Sequence, residues 1–231
     1  MATPSLLLLV ADGRFPAGAH AHSGGLEAAV AAGRVTDLAT LEEFLAGRLA
    51  TAGLVGAAFA AAAHRAAVSG SAEAGRSSVL AQLDAELDAR TAAPTVREVS
   101  RRQGRALLRA GRTIWPDAPF GDLPATPSGV HQPLVLGLLC AAAGLSRLDT
   151  ATVAAYGTVT GAASAGVRLL GLDPYRVQAL LVGLADACDG TAAEAARAAD
   201  GPPERLPAAA APLADIHAEI HATWEVRLFA S

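Results

Sequence analysis

The stretch Pro133-Leu134-Val135-Leu136-Gly137-Leu138-Leu139-Cys140-Ala141-Ala142-Ala143 decides the fold class. Proline fits the first turn of a helix, where its missing N–H has no intrahelical partner. The ten residues after it are apolar on every side, which no solvent-facing helix tolerates, so this helix is expected at the centre of a core. The neighbours on both sides repeat the helical period. Leu41, Phe44, Leu45 and Leu49 mark one face after Thr40-Leu41-Glu42-Glu43, read as a capping box. That helix is expected to reach about Val68, with a break near Gly53 or Gly56. Leu80, Leu83 and Leu87 mark the next. Pro94 ends it, and Thr95-Val96-Arg97-Glu98 is read as a second capping box for a helix to about Gly111. Asp149 to Leu170, Asp173-Pro174 onward, and a last helix opened by Pro212, with Ile216, Ile220, Trp224 and Leu228 four apart, complete the series.

No segment shows convincing strand alternation, and composition does not shift enough to mark a second domain. The chain therefore reads as a single all-α domain over residues 1–231, with about eight to nine helices in an orthogonal or bundle-like array. Residues 112–130 carry four prolines and are expected to form an exposed irregular loop. The 52% apolar content excludes disorder, and 4% aromatics leave the packing to Leu, Val and Ala.

Net charge is −4, and all eighteen basic residues are arginine. The acidic total argues against a nucleic-acid binder. The absence of lysine excludes Schiff-base and P-loop lysine chemistry. Cys140 and Cys188 stand apart in apolar surroundings and read as buried free thiols, which suits a reducing cytosol. Leu6 to Ala11 is too short for a secretory core, and the uncharged window Thr150–Val167 reads as a buried helix rather than a membrane span. A cytoplasmic location follows as an expectation.

Candidate chemistry is sparse. His20 and His22 flank one alanine in the loop 12–27, which leads into the first helix through Ser23 as N-cap and Glu27 in the first turn. Imidazoles two apart in extended chain point the same way and suit nickel or zinc. His217 and His221 lie four apart on the last helix, also a metal-capable spacing. The intervening carboxylate is third, however, where HExxH needs it second to serve as general base. Arg97, Arg101, Arg105 and Arg109 form a basic stripe, either paired with Asp84, Glu86 and Asp88 of the preceding helix or facing an acidic partner. GxSxG and P-loop patterns are absent. The residues alone describe an all-α interaction protein more readily than an enzyme.

Five blocks in order resemble the UreF family of urease accessory proteins: Pro16-x-Gly18-x4-Ser23-x-Gly25-Leu26-Glu27; Arg97-Glu98-x-Ser100-x2-Gln103-Gly104-x2-Leu107; His131-x-Pro133-x3-Gly137; Ser164-Ala165-x-Val167-Arg168-Leu169 with Gly171 and Gln178; and Pro212-x2-Asp215-Ile216, His221 and Arg227-Leu228-Phe229-x-Ser231. His20 and His22 stand where the family usually has aromatics, which favours packing or interface roles for them. The resemblance implies a dimeric, non-catalytic accessory protein without a stably bound cofactor. It would bridge UreD (UreH) and the GTPase UreG on apo-urease and couple GTP hydrolysis to nickel insertion. The competing reading is a stand-alone metal-binding protein or metallohydrolase using His20, His22, His217 and His221.

Partner-binding candidates on the resemblance are Glu27, Arg97, Arg101, Arg168, His221, Trp224, Arg227, Leu228, Phe229 and Ser231. Nucleic acid and membrane are not expected partners. The segment 212–231 follows a Gly-Pro-Pro break and ends in large apolar residues. Each is worth ~1.5–3 kcal/mol on burial, so the segment is expected to dock on a partner. Packing on the chain's own core is the alternative.

Overall fold

The computed structural model describes residues 4–16, 21–69 and 72–229, and all regular structure among them is helical. The order is α1 Pro4–Ala11, α2 Leu26–Ala31, α3 Leu38–Arg48, α4 Leu54–Val68, α5 Glu73–Arg90, α6 Pro94–Ile114, α7 Gln132–Ala142, α8 Arg147–Leu170, α9 Pro174–Gly183, α10 Ala185–Ala198 and α11 Pro212–Ala222. A π turn, Leu49–Gly53, joins α3 to α4 without a gap, so these two form one rod. The expected break near Gly53 is this local widening. Two elements exceed the expected eight to nine: α1, and the division of one anticipated helix into α9 and α10 at Leu184.

Two helices form the centre. The central helix read from the sequence is α7, with Leu134, Val135, Leu136, Leu138, Leu139 and Cys140 all buried. Against it lies α4, whose Ala57 to Ala63 run is buried throughout. Alanine and glycine permit this proximity. A side chain at Gly137 would run into the Ala60 carbonyl and the backbone of His64. α8 and α10 pack on the other sides of α4. The continuous run Leu38–Val68 is long and apolar enough to span a bilayer by length and composition; here it is the core rod. Cys140 is buried as a free thiol, and burial pushes it up to about 12, which leaves it unreactive.

Several helix starts differ from the local reading. α3 begins at Leu38, and its capping box is Asp37 with Thr40, not Thr40 with Glu43. The Asp37 side chain accepts from the Thr40 N–H at 2.9 Å. α6 begins at Pro94, and its N-cap Ala93 offers no side-chain cap. The α8 start carries the reciprocal Ser146–Asp149 box, a legible pattern that the sequence reading passed over. Asp173 caps α9 as expected, accepting from the Tyr175 N–H at 2.9 Å.

The segment 112–130 is irregular beyond Ile114 as expected, apart from one three-residue 3₁₀ turn, but only part of it is exposed. α6 continues to Ile114, and Phe120, Leu123 and Val130 are buried. Arginine forks tie down its carbonyls: Arg101 donates to the Gly129 oxygen at 2.6 Å, and Arg105 donates to Ser128. Arg76 pairs with the buried Asp122. Proline removes donors from this segment; the arginines satisfy its acceptors from outside.

α11 ends at Ala222, a turn and a half before Leu228. The four-residue spacing of Ile216, Ile220, Trp224 and Leu228 is therefore not one helical stripe. Only His221 of α11 is buried.

Candidate functional site

The turn before α2 carries positive φ at Gly24 (63°) and Gly25 (89°), a conformation side chains resist. It delivers Leu26 and Glu27 inward. The N-cap of α2 is Gly25, not the expected Ser23; Ser23 is buried two residues earlier, and its Oγ accepts the Glu27 N–H at 3.3 Å. The Glu27 side chain is itself buried, which requires partners for both oxygens.

Those partners come from the other end of the chain. His221 Nε2 lies 2.9 Å from Glu27 Oε2. Beyond α11 the chain turns back, so that the Leu228 N–H donates to Oε1 at 2.8 Å and the Phe229 N–H to Oε2 at 3.0 Å. Burial alone would raise the Glu27 carboxyl, but the bonds from Leu228, His221 and Phe229 outweigh it and hold it below its ordinary value. The Phe229 ring is buried, with the Arg168 guanidinium 5.7 Å over it. Trp224 stacks at a tilt on His221, centroids 4.7 Å apart.

The structure thus brings Glu27, Arg168, His221, Trp224, Arg227, Leu228 and Phe229 into one region. Ser231 and His20 lie outside the described residues. Phe229 packs on the chain itself, the alternative left open by the sequence. Leu228 does not: it is 73% exposed.

α11 presents its faces in an unusual sense. Ala214, Asp215 and Ala218 turn inward over a cavity of about 800 Å³ walled by Phe15, Val55, Val99 and Leu136. Leu213, Ile216 and Ile220 turn outward at 47%, 56% and 51% exposure. Burial first, and Glu219 second, raise the Asp215 carboxyl above its ordinary value. Glu219 pins the helix to α6 by accepting the Thr95 N–H at 2.8 Å. That carboxylate supplies the cap that α6 lacks locally, where the helix dipole favours negative charge.

Arg97 and Arg101 lie elsewhere, on the α5–α6 seam. Arg101 bonds Asp84 at 3.0 Å and Asp88 at 2.8 Å. Arg97 reaches Asp88 at 3.7 Å and donates to the Thr91 carbonyl at 2.6 Å. Their acidic partners are therefore internal. The same network holds His131, which is fully buried: its backbone N–H donates to Asp84 at 3.1 Å, and its ring lies 3.0 Å from Ser100 Oγ and 3.1 Å from Asp88. Burial, then the nearby Arg101 charge, hold His131 below its ordinary pKa and keep it neutral. Nε2 faces a carboxylate and donates, so Nδ1 accepts the Ser100 hydroxyl.

The order Ser100–His131–Asp88 looks like a hydrolytic triad. Yet Ser100 Oγ also takes the Gln132 N–H at 3.3 Å, and Asp88 is shared with Arg101. This is a brace between α5, α6 and the start of α7. Sequence reading quoted Ser100 and His131 within motifs without seeing that they touch.

The described candidate histidines are not gathered into a metal site. His221 is committed to Glu27, His217 is half-buried one turn earlier, and His22 is half-buried in the loop before α2. Among the described residues no group of three His, Cys, Asp or Glu side chains is placed to hold a metal ion.

Comparison with known proteins agrees with the motif reading. Residues 35–185 match the UreF family model. The chain is 44% identical over 232 residues to a protein named urease accessory protein UreF from Mycolicibacterium vanbaalenii, covering all of both chains. It is 43% identical over 231 residues to the protein of that name from Mycobacterium marinum, again over the whole of both. The Mycobacterium tuberculosis protein of that name matches at 44% over 195 residues, 84% of this chain and 86% of the relative. On the family-model match and these identities, the chain belongs to the UreF family of urease accessory proteins.

Proposed function

We propose that this protein is a non-catalytic adaptor in urease maturation, bridging UreD (UreH) and the GTPase UreG on apo-urease so that GTP hydrolysis is coupled to nickel insertion. Family membership supports the urease setting. The observation that carries the adaptor role is the outward apolar stripe Leu213, Ile216 and Ile220, continued by exposed Val226 and Leu228. A helix that turns alanines toward its own cavity and large aliphatics toward solvent is built to be covered. The Glu27 clamp fixes the segment after it in one conformation, so a partner meets an ordered surface and does not bear the entropy of ordering it. On this reading the protein works in the cytoplasm as a homodimer, binds no cofactor stably, and leaves nickel as cargo of the complex.

The test is reconstitution of apo-urease with UreD, UreG and this chain, reading complex formation, GTP hydrolysis and urease activation. Ile216→Ser with Ile220→Ser is expected to lower recovery of partners and urease activation together while the isolated variant stays folded. Undiminished complex and activation would overturn the proposal.

A further inference from the structure

The cavity of about 800 Å³ beneath α11 is bordered by one charge that the fold leaves unmet. That charge is Arg48, the last residue of α3. The rod widens into its π turn directly after Arg48, and Thr51 and Ala52 of that turn, with Val55 beyond it, also line the cavity. Arg48 is tucked against the turn before α2: its Nη1 donates to the Gly24 carbonyl, and a side chain at Gly24 would run into the guanidinium. Its Nε is buried without an acceptor, and no acid lies within ion-pairing distance among the described residues. The other arginines that lack an acid partner are exposed, apart from Arg65, which donates to the Asp200 and Gly201 carbonyls. Burial is thus what sets Arg48 apart; it pushes the guanidinium down to about 10, still charged at neutral pH.

The other polar groups of the cavity are already engaged. Asp12 is committed to Arg14 at 2.7 Å, and Asp215 pairs with no arginine. Of the other arginines there, Arg90 is met by Glu86, and Arg168 is exposed over the Phe229 ring. Thr51, Thr158 and Thr160 turn their hydroxyls back onto carbonyls of the preceding helical turn.

We infer that this cavity binds a small-molecule carboxylate with an aliphatic body, the carboxylate on Arg48 and the chain among Phe15, Val55, Val99 and Leu136. The Gly24 bond uses Nη1 and leaves the Nε–Nη2 edge, a fork that a carboxylate meets with two parallel hydrogen bonds. The volume falls within the range of small-molecule sites, roughly 300–1,000 Å³. A hydrated inorganic anion has no use for apolar walls, and an uncharged apolar ligand leaves the Arg48 Nε unmet. The inference does not rest on the adaptor reading, since it concerns the chain without partners.

The test is isothermal titration calorimetry of the full chain with sodium octanoate below its micelle concentration, beside 1-octanol, sodium acetate and inorganic phosphate. Saturable one-to-one binding of octanoate is expected, with 1-octanol and acetate each at least about tenfold weaker. Arg48→Gln is expected to weaken octanoate about tenfold and to leave 1-octanol unchanged. Ala218→Leu puts bulk into the cavity from α11 while leaving Arg48 in place, and is expected to abolish binding of both. If Arg48→Gln does not fold, the preference of the unaltered chain for octanoate over 1-octanol and its loss in Ala218→Leu carry the test. Arg112→Gln, at an exposed arginine of α6 outside the cavity, is expected to bind octanoate unchanged. The inference is overturned by no saturable octanoate binding, by equal affinity for 1-octanol, or by comparable affinity for acetate or phosphate. Full octanoate affinity in a folded Arg48→Gln or Ala218→Leu, or an equal loss in Arg112→Gln, would overturn it as well.

Discussion

Glu27 and His221 are 194 residues apart in sequence, and their side chains meet at 2.9 Å in a buried contact. The same carboxylate takes the Leu228 and Phe229 amides, so one side chain in the first turn of α2 fixes the path of the tail. Hydrogen bonds to a charged acceptor contribute roughly 1.5–3 kcal/mol each. Glu27→Ala is therefore expected to speed hydrogen exchange at the Leu228 and Phe229 amides by about 10–100-fold, leaving amides of α4 and α7 protected. Glu27→Gln is expected to fall between, since an amide oxygen accepts one bond while its NH₂ opposes another donor. Exchange at Leu228 and Phe229 that ignores both substitutions would mean that the tail is held by Phe229 burial alone.

Stability is expected to fall with acid in two windows. His131 and His64 are both held below their ordinary pKa of 6.5, in each case chiefly by burial. The folded state keeps them neutral while the unfolded chain takes up protons. Their contribution is fully present above 6.5 and declines as pH drops through the folded values, with a slope of up to ~1.4 kcal/mol per pH unit for each group. Glu27 and Asp88 are held below their ordinary carboxylate values, so their contribution is lost lower, as pH falls through those depressed values. Asp215, which is raised, pulls the other way, gaining stability as it protonates. Urea midpoints measured from pH 7.5 to about 3 check this. The slope below 6.5 should become shallower in His131→Gln, and an unchanged slope would show that His131 does not carry the proton difference.

Arg101 and Arg97 occupy neighbouring turns of one helix but are expected to differ sharply. Arg101 is nearly buried against Asp84, so Arg101→Met strands a buried carboxylate and should cost ~3–5 kcal/mol. At roughly 2–4 °C per kcal/mol for a domain of this size, Tm should fall by about 6–20 °C. Arg97 forms a partly exposed pair at 3.7 Å, and Arg97→Ala should cost about 1 kcal/mol. Equal losses in thermal melts of the two variants would contradict the division between a core brace and a surface pair.

What the sequence made legible was what depends on near neighbours. An apolar run marked α7, Asp173-Pro174 marked α9, and Gly-Pro-Pro marked the break before α11. What it hid depends on distant segments. Thr95 was misread because the acid at the start of α6 is Glu219 from α11, 124 residues away. The loop before His131 was read as irregular, which it is, but its anchoring was hidden, because the arginines that hold its carbonyls belong to α6. The tail was half read. Its large residues were seen to need cover, but only the Glu27 clamp decides that Phe229 turns in while Leu228 stays out.

Gly104 and Gly137, both members of the quoted motifs, give the most direct test of packing. Alanine is the better helix former by ~1 kcal/mol, so either substitution would stabilise an open helix. Neither site is open. A methyl group at Gly104 would meet the Val130 carbonyl and the Gln132 nitrogen, where α6 passes the start of α7. At Gly137 it would meet the Ala60 carbonyl and the His64 nitrogen, where α7 crosses α4. Backbone atoms cannot swing aside as a flexible side chain can, so helices must separate, and overpacking of this kind costs ~1–3 kcal/mol or more. Net destabilisation is expected for both. It should be larger at Gly137, where the two central helices cross, than at Gly104, beside the partly exposed face of α6. Gly157 of α8 supplies the control: nothing approaches its added methyl, so Gly157→Ala should raise the urea midpoint. A stabilised Gly137→Ala would show that α4 and α7 are not packed at this distance in solution.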